Sequence, residues 1–191
     1  YPYISKSENP YLGFLREVAK RQACLVAKWM NIGFIHGVMN TDNMLVSGET
    51  IDYGPCAFMD IYDPKTVYSS IDRHGRYRYE NQPIIAQWNL ARLAEALLPL
   101  IDADVAKAVK ACEEIIAEFP EIYQENWLKN MKAKLGLALS EGGDLAFAQE
   151  FLDILHANQL DYTNSFRQLL DFAKGEIVPQ EFEQWSKKWQ N

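Results

Sequence analysis

Residues 36–55 read HGVMNTDNMLVSGETIDYGP, and the reading of this stretch decides that of the rest of the chain. A short apolar run, Gly33-Phe34-Ile35, feeds a polar loop that carries Asp42 and Asn43. Two β-rich runs follow, Met44-Leu45-Val46 and Thr50-Ile51-Asp52-Tyr53, around the turn Ser47-Gly48-Glu49. That pattern predicts a small β-hairpin, broken by Gly54-Pro55. Asp52 therefore stands one hairpin away from Asp42 and Asn43. An acid and an amide on one loop, with a second acid across a stiff spacer, can converge on a cation that carries phosphates. Such a site needs hard oxygen ligands, with positions left for phosphate oxygens and water. Asn43 offers a side-chain carbonyl oxygen and Asp52 a carboxylate as metal ligands. Asp42 offers a second carboxylate, able to act as a base toward a hydroxyl.

Each piece alone is unspecific. An Asp-Asn pair in a loop usually folds its side chains onto nearby backbone N–H groups, and Asp-Tyr-Gly is a common turn opener. The combination at this spacing is what carries weight. His36 is expected to be structural, its ring bonded to backbone, with Gly37 allowing a tight path beside it.

The chain has 191 residues, 48% of them hydrophobic, enough for one large domain or a domain with an extension. Its net charge of −7 argues against a basic surface for a nucleic-acid backbone, so no nucleic-acid partner is expected. Cys24, Cys56 and Cys112 are scattered and show no metal-ligand spacing, which fits reduced thiols in a cytoplasmic protein. No apolar run approaches the ~18 residues of a membrane helix, and the start YPYISKSENP is not a signal peptide, so no membrane is expected. The absence of an initiating Met leads us to expect a chain that begins partway through a longer protein.

Outside the loop the pattern is helical. Asn9-Pro10 predicts a helix start, with Leu12, Leu15, Val18, Ala19, Gln22, Leu25, Val26, Trp29 and Met30 on one face and Asn31-Ile32-Gly33 at its end. Residues 56–83 predict a long, irregular, ordered segment packed through its aromatics. Helices are then predicted over 84–98, with Ile85, Trp88, Leu93 and Leu97 inward, and over 102–118, closed by Phe119-Pro120. Further helices follow over 121–137, 145–157, 161–173 and 179–189, with a turn at 141–144. The fold class is mainly α with one small β-hairpin.

The quoted string resembles the kinase pattern His-Arg-Asp-Leu-x-x-x-x-Asn followed by Asp-Phe-Gly, with one departure. With Asn43 as the metal-binding Asn and His36 as the leading His, the usual catalytic Asp falls on Val38. Asp42 is the nearest carboxylate that could replace it. In this the chain is similar to the selenoprotein O family (SelO, YdiU in bacteria), once classed as pseudokinases. The likeness extends through Asp72-Arg73-His74-Gly75-Arg76-Tyr77, Asn81-Gln82-Pro83 and WNLARLA from Trp88 to Ala94.

The resemblance implies a protein-kinase-like C-lobe core over 1–100 and a helical C-terminal extension over 101–191. It implies a protein adenylyltransferase that moves AMP from ATP to Ser, Thr or Tyr hydroxyls of proteins, with Mg²⁺ or Mn²⁺. Asp42 would match the catalytic base, Asn43 and Asp52 the metal ligands, and Asp52 would reach ATP through the metal. The glycine-rich phosphate loop and strand Lys of the N-lobe have no counterpart in residues 1–35, so the missing N-lobe becomes an expected partner and the fragment alone is expected to be inactive. Two other readings remain: a non-catalytic binding module on a kinase scaffold, motivated by Val38, and a kinase-like phosphotransferase, including the aminoglycoside type. The Arg residues of 73–78 are expected to pair with local acids such as Asp72 and Glu80.

Overall fold

In the computed structural model, which describes residues 1–137, 142–175 and 180–189, the first long helix forms where the sequence predicts it. Asn9 Oδ1 accepts from the backbone N–H groups of Tyr11 (3.1 Å) and Leu12 (3.2 Å), and Pro10 opens α1 (Pro10–Asn31). Two donors that a helix start leaves orphaned are thereby satisfied. The predicted face of α1 is buried at Leu15, Val18, Ala19, Gln22, Val26, Trp29 and Met30. The helix ends at Ile32, and Gly33 turns the chain with φ +69°. A Cβ there would lie 3.1 Å from the Tyr162 ring, so the turn requires glycine for both its φ and its space.

Beyond Gly33, β1 (Phe34–Ile35) pairs antiparallel with β2 (Ala57–Phe58), Phe34 opposite Phe58 and Ile35 opposite Ala57. The fold is thus mainly α with one two-stranded antiparallel sheet, but the sheet lies outside the predicted hairpin. Among the described residues, 44–53 contributes a single bridge, Met44 to Thr50. The reason lies in who takes the carbonyls. Gln22 Nε2 donates to Leu45 O, the Tyr1 hydroxyl to Val46 O, and Arg21 to Ser47 O. Side chains of the N-terminal segment and α1 replace the cross-strand ladder, and Trp29 Nε1 donates to Thr50 Oγ1 at 2.9 Å. The segment lies on α1 instead of forming a free hairpin.

Residues 59–78 are irregular but packed, as predicted, with Tyr62 and Tyr79 buried. Phe58 and Tyr68 remain largely exposed. A 3-10 turn, Tyr79–Asn81, leads into α2 (Gln82–Ile101), which continues through Pro99 in its last turn. Ile85 points inward as predicted, but Trp88 is exposed, its ring stacked under the guanidinium groups of Arg76 and Arg92. The span Tyr79–Ile101 is long and apolar enough to cross a membrane, contrary to the sequence expectation. Here it packs against α1, with Gln82 and Asn89 buried.

The next helix corrects the prediction of a break at Phe119-Pro120. One helix, α3 (Val105–Leu135), runs through Pro120. Proline lacks an N–H and so leaves the carbonyl four residues back, that of Ile116, without its helical donor. Gln87 Nε2 on α2 donates to Ile116 O at 3.0 Å. The lost bond is replaced from a neighbouring helix, and Phe119 is buried in the interface. α1, α2 and α3 pack together as the body of the core.

The remaining helices are α4 (Asp144–Ala157), α5 (Tyr162–Ala173) and α6 (Glu183–Trp189). The predicted positions Glu141 and Pro179 lie outside the described residues. Trp185 of α6 stacks on Phe147 of α4, and Trp189 Nε1 donates to Leu135 O at 2.7 Å. The α5 side returns to the core through Tyr162, whose hydroxyl donates to Met30 O at 3.0 Å. Lys134 lies over the rings of Tyr162 and Phe166 and donates to Asn31 O at the end of α1.

Candidate functional site

The loop that follows β1 is held from three sides. His36 is fully buried, and its backbone N–H donates to Gln82 Oε1 at 2.9 Å. Its Nδ1 accepts from the N–H of Val38, which fixes the ring proton on Nε2, and Nε2 donates to Ile51 O at 2.8 Å. One imidazole thus joins the loop to the residue before Asp52. The ring has no free nitrogen for proton transfer, so the structural role expected for His36 stands.

Gly37 brings the same two segments together by contact. Its φ is +82°, and a Cβ would sit 3.0 Å from Pro55 Cγ and 3.3 Å from Pro55 O. From below, Asn89 on α2 donates to Met39 O at 3.0 Å. Gln82 donates its second valence to Phe34 O at 3.0 Å. These two buried amides anchor the loop to α2, and neither figured in the site read from sequence. Their signal was present: amides seven residues apart fall on one helix face, here the face that also buries Ile85 and Ala86.

On this base sits a 3-10 turn, Thr41–Asn43, which carries Asp42 and Asn43 together. Asn43 Nδ2 donates to Val38 O at 3.0 Å. With its nitrogen committed, the Asn43 oxygen Oδ1 is the atom left to ligate a hard cation. Asp52 is the other special position. It is a non-glycine residue at φ +55°, in the left-handed region, and its carbonyl accepts from Gly54 N–H at 2.8 Å. Such a conformation costs of order 1–3 kcal/mol and persists where its surroundings impose it, often at functional sites. Here the His36–Ile51 bond and the Gly37–Pro55 contact bracket it.

The carboxylates at these positions are uncommitted. Several loop and cap acids fold onto backbone: Asp63 accepts from Lys65 N–H, Asp72 from Arg76 and Tyr77 N–H, and Asp104 from Ala106 and Lys107 N–H, whereas exposed Asp60 makes no such bond among the described residues. Nor do Asp42 and Asp52. Both are exposed, and among the described residues neither carboxylate makes a hydrogen bond or an ion pair. Asp52 opens its turn through its backbone carbonyl, and neither carboxylate is spent on a turn.

Among the described residues no group of three or more His, Cys, Asp and Glu side chains gathers to hold a metal. One amide oxygen and free carboxylates on anchored backbone suit a hard cation whose other positions go to phosphate oxygens and water. Beside the turn, a cleft of about 580 Å³ opens between Val38 and Asn40 on one wall and residues 69–77 on the other. Tyr77 joins the walls, its hydroxyl donating to Asn40 Oδ1. Of the arginines expected to pair locally, Arg78 does, with Glu80 at 2.6 Å. Among the described residues Arg73 and Arg76 form no ion pair with a carboxylate, which corrects the sequence reading for those two.

Comparison with known proteins bears on this geometry. A family described as protein adenylyltransferase SelO matches residues 1–188. The chain is 58% identical over 91% of its length to a protein nucleotidyltransferase YdiU of Rhizobium etli, of which it covers 35%. It is 53% identical over its whole length to the protein of that name in Anoxybacillus flavithermus, covering 39%. It is 55% identical over 96% of its length to the one in Clostridium botulinum, covering 38%. The chain therefore spans between a third and two-fifths of the length of these relatives.

Proposed function

The chain belongs to the protein adenylyltransferase SelO family, and on that footing we propose that it supplies the base and metal side of an AMP-transferring site. The relatives' names establish a nucleotidyltransferase family; the finer assignments are our reading. In that reading residues 1–100 are a kinase-like C-lobe core, 101–191 its helical extension, and the remainder of the longer protein supplies the phosphate-binding lobe. ATP and protein hydroxyls are the substrates.

The residues divide the work as follows. Asp42 accepts the proton of the Ser, Thr or Tyr hydroxyl as its oxygen attacks the α-phosphorus of ATP. The new O–P bond replaces the bond to the pyrophosphate, which departs with its electron pair. Asn43 Oδ1 and the Asp52 carboxylate would hold Mg²⁺ or Mn²⁺, and Asp52 thereby touches the nucleotide. The cation, when bound, offsets the negative charge of the phosphate oxygens. His36, Gly37, Gln82 and Asn89 keep these groups in place, since positioning supplies much of the rate in phosphoryl-type transfer.

The observation that supports this most is the anchoring of the loop beside two free carboxylates. Asp42 and Asp52 are left uncommitted beside a loop that three polar contacts, two of them buried, hold fixed. The test uses the full-length protein with ATP labelled at the α- or the γ-position. Label on protein acceptors from the α-position alone is expected. Transfer from the γ-position alone would make the protein a kinase. No transfer from either, with binding of partners unchanged in Asp42→Ala, would favour the non-catalytic scaffold.

A further inference from the structure

The cleft beside the Asp42 turn has an electrostatic character that the reaction above does not use. In a chain of net charge −7, its outer wall presents Arg73 and Arg76. Arg73 is exposed and has no partner among the described residues. Arg76 lies with its guanidinium carbon 4.8 Å from the centre of the Trp88 ring. Stacking fixes the plane of a guanidinium while leaving its N–H edge free for a carboxylate. Asp72 is the one acid among the described residues lining the cleft. Its two oxygens accept from the N–H groups of Arg76 and Tyr77, each at 2.8 Å, and are thus turned into the wall. Glu80 is occupied by Arg78.

The wall is a built feature and not a loose loop, because Asn81 Nδ2 donates to Gly75 O and Arg76 O, and Tyr77 is tied to Asn40. Ile71, 81% exposed, adds an apolar contact at the same rim. Asn40, which lines the cleft, stands at the N-terminal end of the turn bearing Asp42, two residues before it.

We propose that this cleft seats an acidic segment of the protein acceptor, with carboxylates on Arg73 and Arg76, while the neighbouring hydroxyl meets Asp42. The inference rests on the adenylyl-transfer reading of the loop and names the substrate class that reading leaves open. Charge complementarity and a volume of about 580 Å³, room for a few side chains, fit a peptide segment.

The experiment uses the full-length protein and three labelled peptides with one Tyr acceptor flanked by Glu, Gln or Lys. Binding is read by fluorescence anisotropy without nucleotide, and AMP transfer from α-labelled ATP is read in parallel. The Glu peptide should bind about tenfold tighter than the Gln peptide at low salt. Arg73→Glu should erase that difference and turn the preference toward the Lys peptide, with the KM for ATP unchanged. Equal binding of all three peptides, or a preference untouched by Arg73→Glu, would overturn the inference. So would an Arg73→Glu variant that raises the KM for ATP but still discriminates among peptides, since the cleft would then serve the nucleotide. Discrimination without any AMP transfer would sustain the cleft and sink the adenylyl-transfer reading. Transfer that ignores the flanking charge would do the reverse.

Discussion

The imidazole of His36 donates through Nε2 to the carbonyl of Ile51 at 2.8 Å, with its Nδ1 held by the N–H of Val38. Two segments fifteen residues apart are thereby joined at one buried ring, and Asp52 follows directly. Replacing the ring should act on stability first and on activity through Asp52. His36→Ala should cost about 2–4 kcal/mol, the sum of a cavity and an unpaired carbonyl. His36→Gln keeps an amide donor and should recover much of the activity lost in His36→Ala. Thermal unfolding and AMP transfer of the full-length variants check this; equal loss in both would instead make His36 a proton carrier.

The continuity of α3 through Pro120 rests on Gln87, which donates to Ile116 O in place of the missing proline N–H. Gln87→Leu should destabilise by about 1 kcal/mol, because a half-buried carbonyl loses its donor. In a Pro120→Ala background the helix regains its own donor to Ile116 O, and Gln87→Leu should become nearly neutral. A double-mutant cycle from denaturant unfolding measures the coupling. Additive effects would mean that Gln87 contributes only packing.

Lys134 gives the fold a pH dependence. Burial pushes its ammonium down from 10.5 to about 7, although Asn31 O at the end of α1 and the faces of Tyr162 and Phe166 favour the charged form. Between about 7 and 10.5 the unfolded chain binds the proton that the folded chain has released. Stability should therefore rise with pH across that window, by at most about 1.4 kcal/mol per unit, and be lost again as pH falls toward 7. Lys134→Met should flatten this slope. Denaturation midpoints of both proteins at several pH values from 7 to 10 provide the check.

Much of the helical frame was legible in the sequence because its signals are local. Asn9-Pro10 starts α1, Asp161 caps α5, and the buried face of α1 follows its apolar spacing. Several of the misreadings come from a partner distant in sequence. Pro120 looks like a stop until Gln87 is placed beside Ile116. Residues 44–53 look like a hairpin until Gln22, Arg21 and Tyr1 take their carbonyls, while the strand partner of Phe34 is Phe58. Trp88 looks like core until Arg76 and Arg92 cover it. At the site, the pairing of Asp42 with Asn43 on one turn follows from adjacency, and the convergence of Asp52 with them, expected from spacing, is part of our proposal. The left-handed backbone of Asp52 depends on tertiary contacts and left no sequence pattern, and Gln82 and Asn89 left only their seven-residue spacing.

The division of labour between Asp42 and Asp52 is most directly tested by Mn²⁺–ATP affinity, measured on the full-length protein beside AMP transfer. Asp52→Asn should weaken Mn²⁺–ATP binding by about tenfold or more. Asp42→Asn should leave that affinity within about threefold while lowering transfer by about 10² or more. Unchanged Mn²⁺–ATP affinity in Asp52→Asn, or full transfer by Asp42→Asn, would contradict the account.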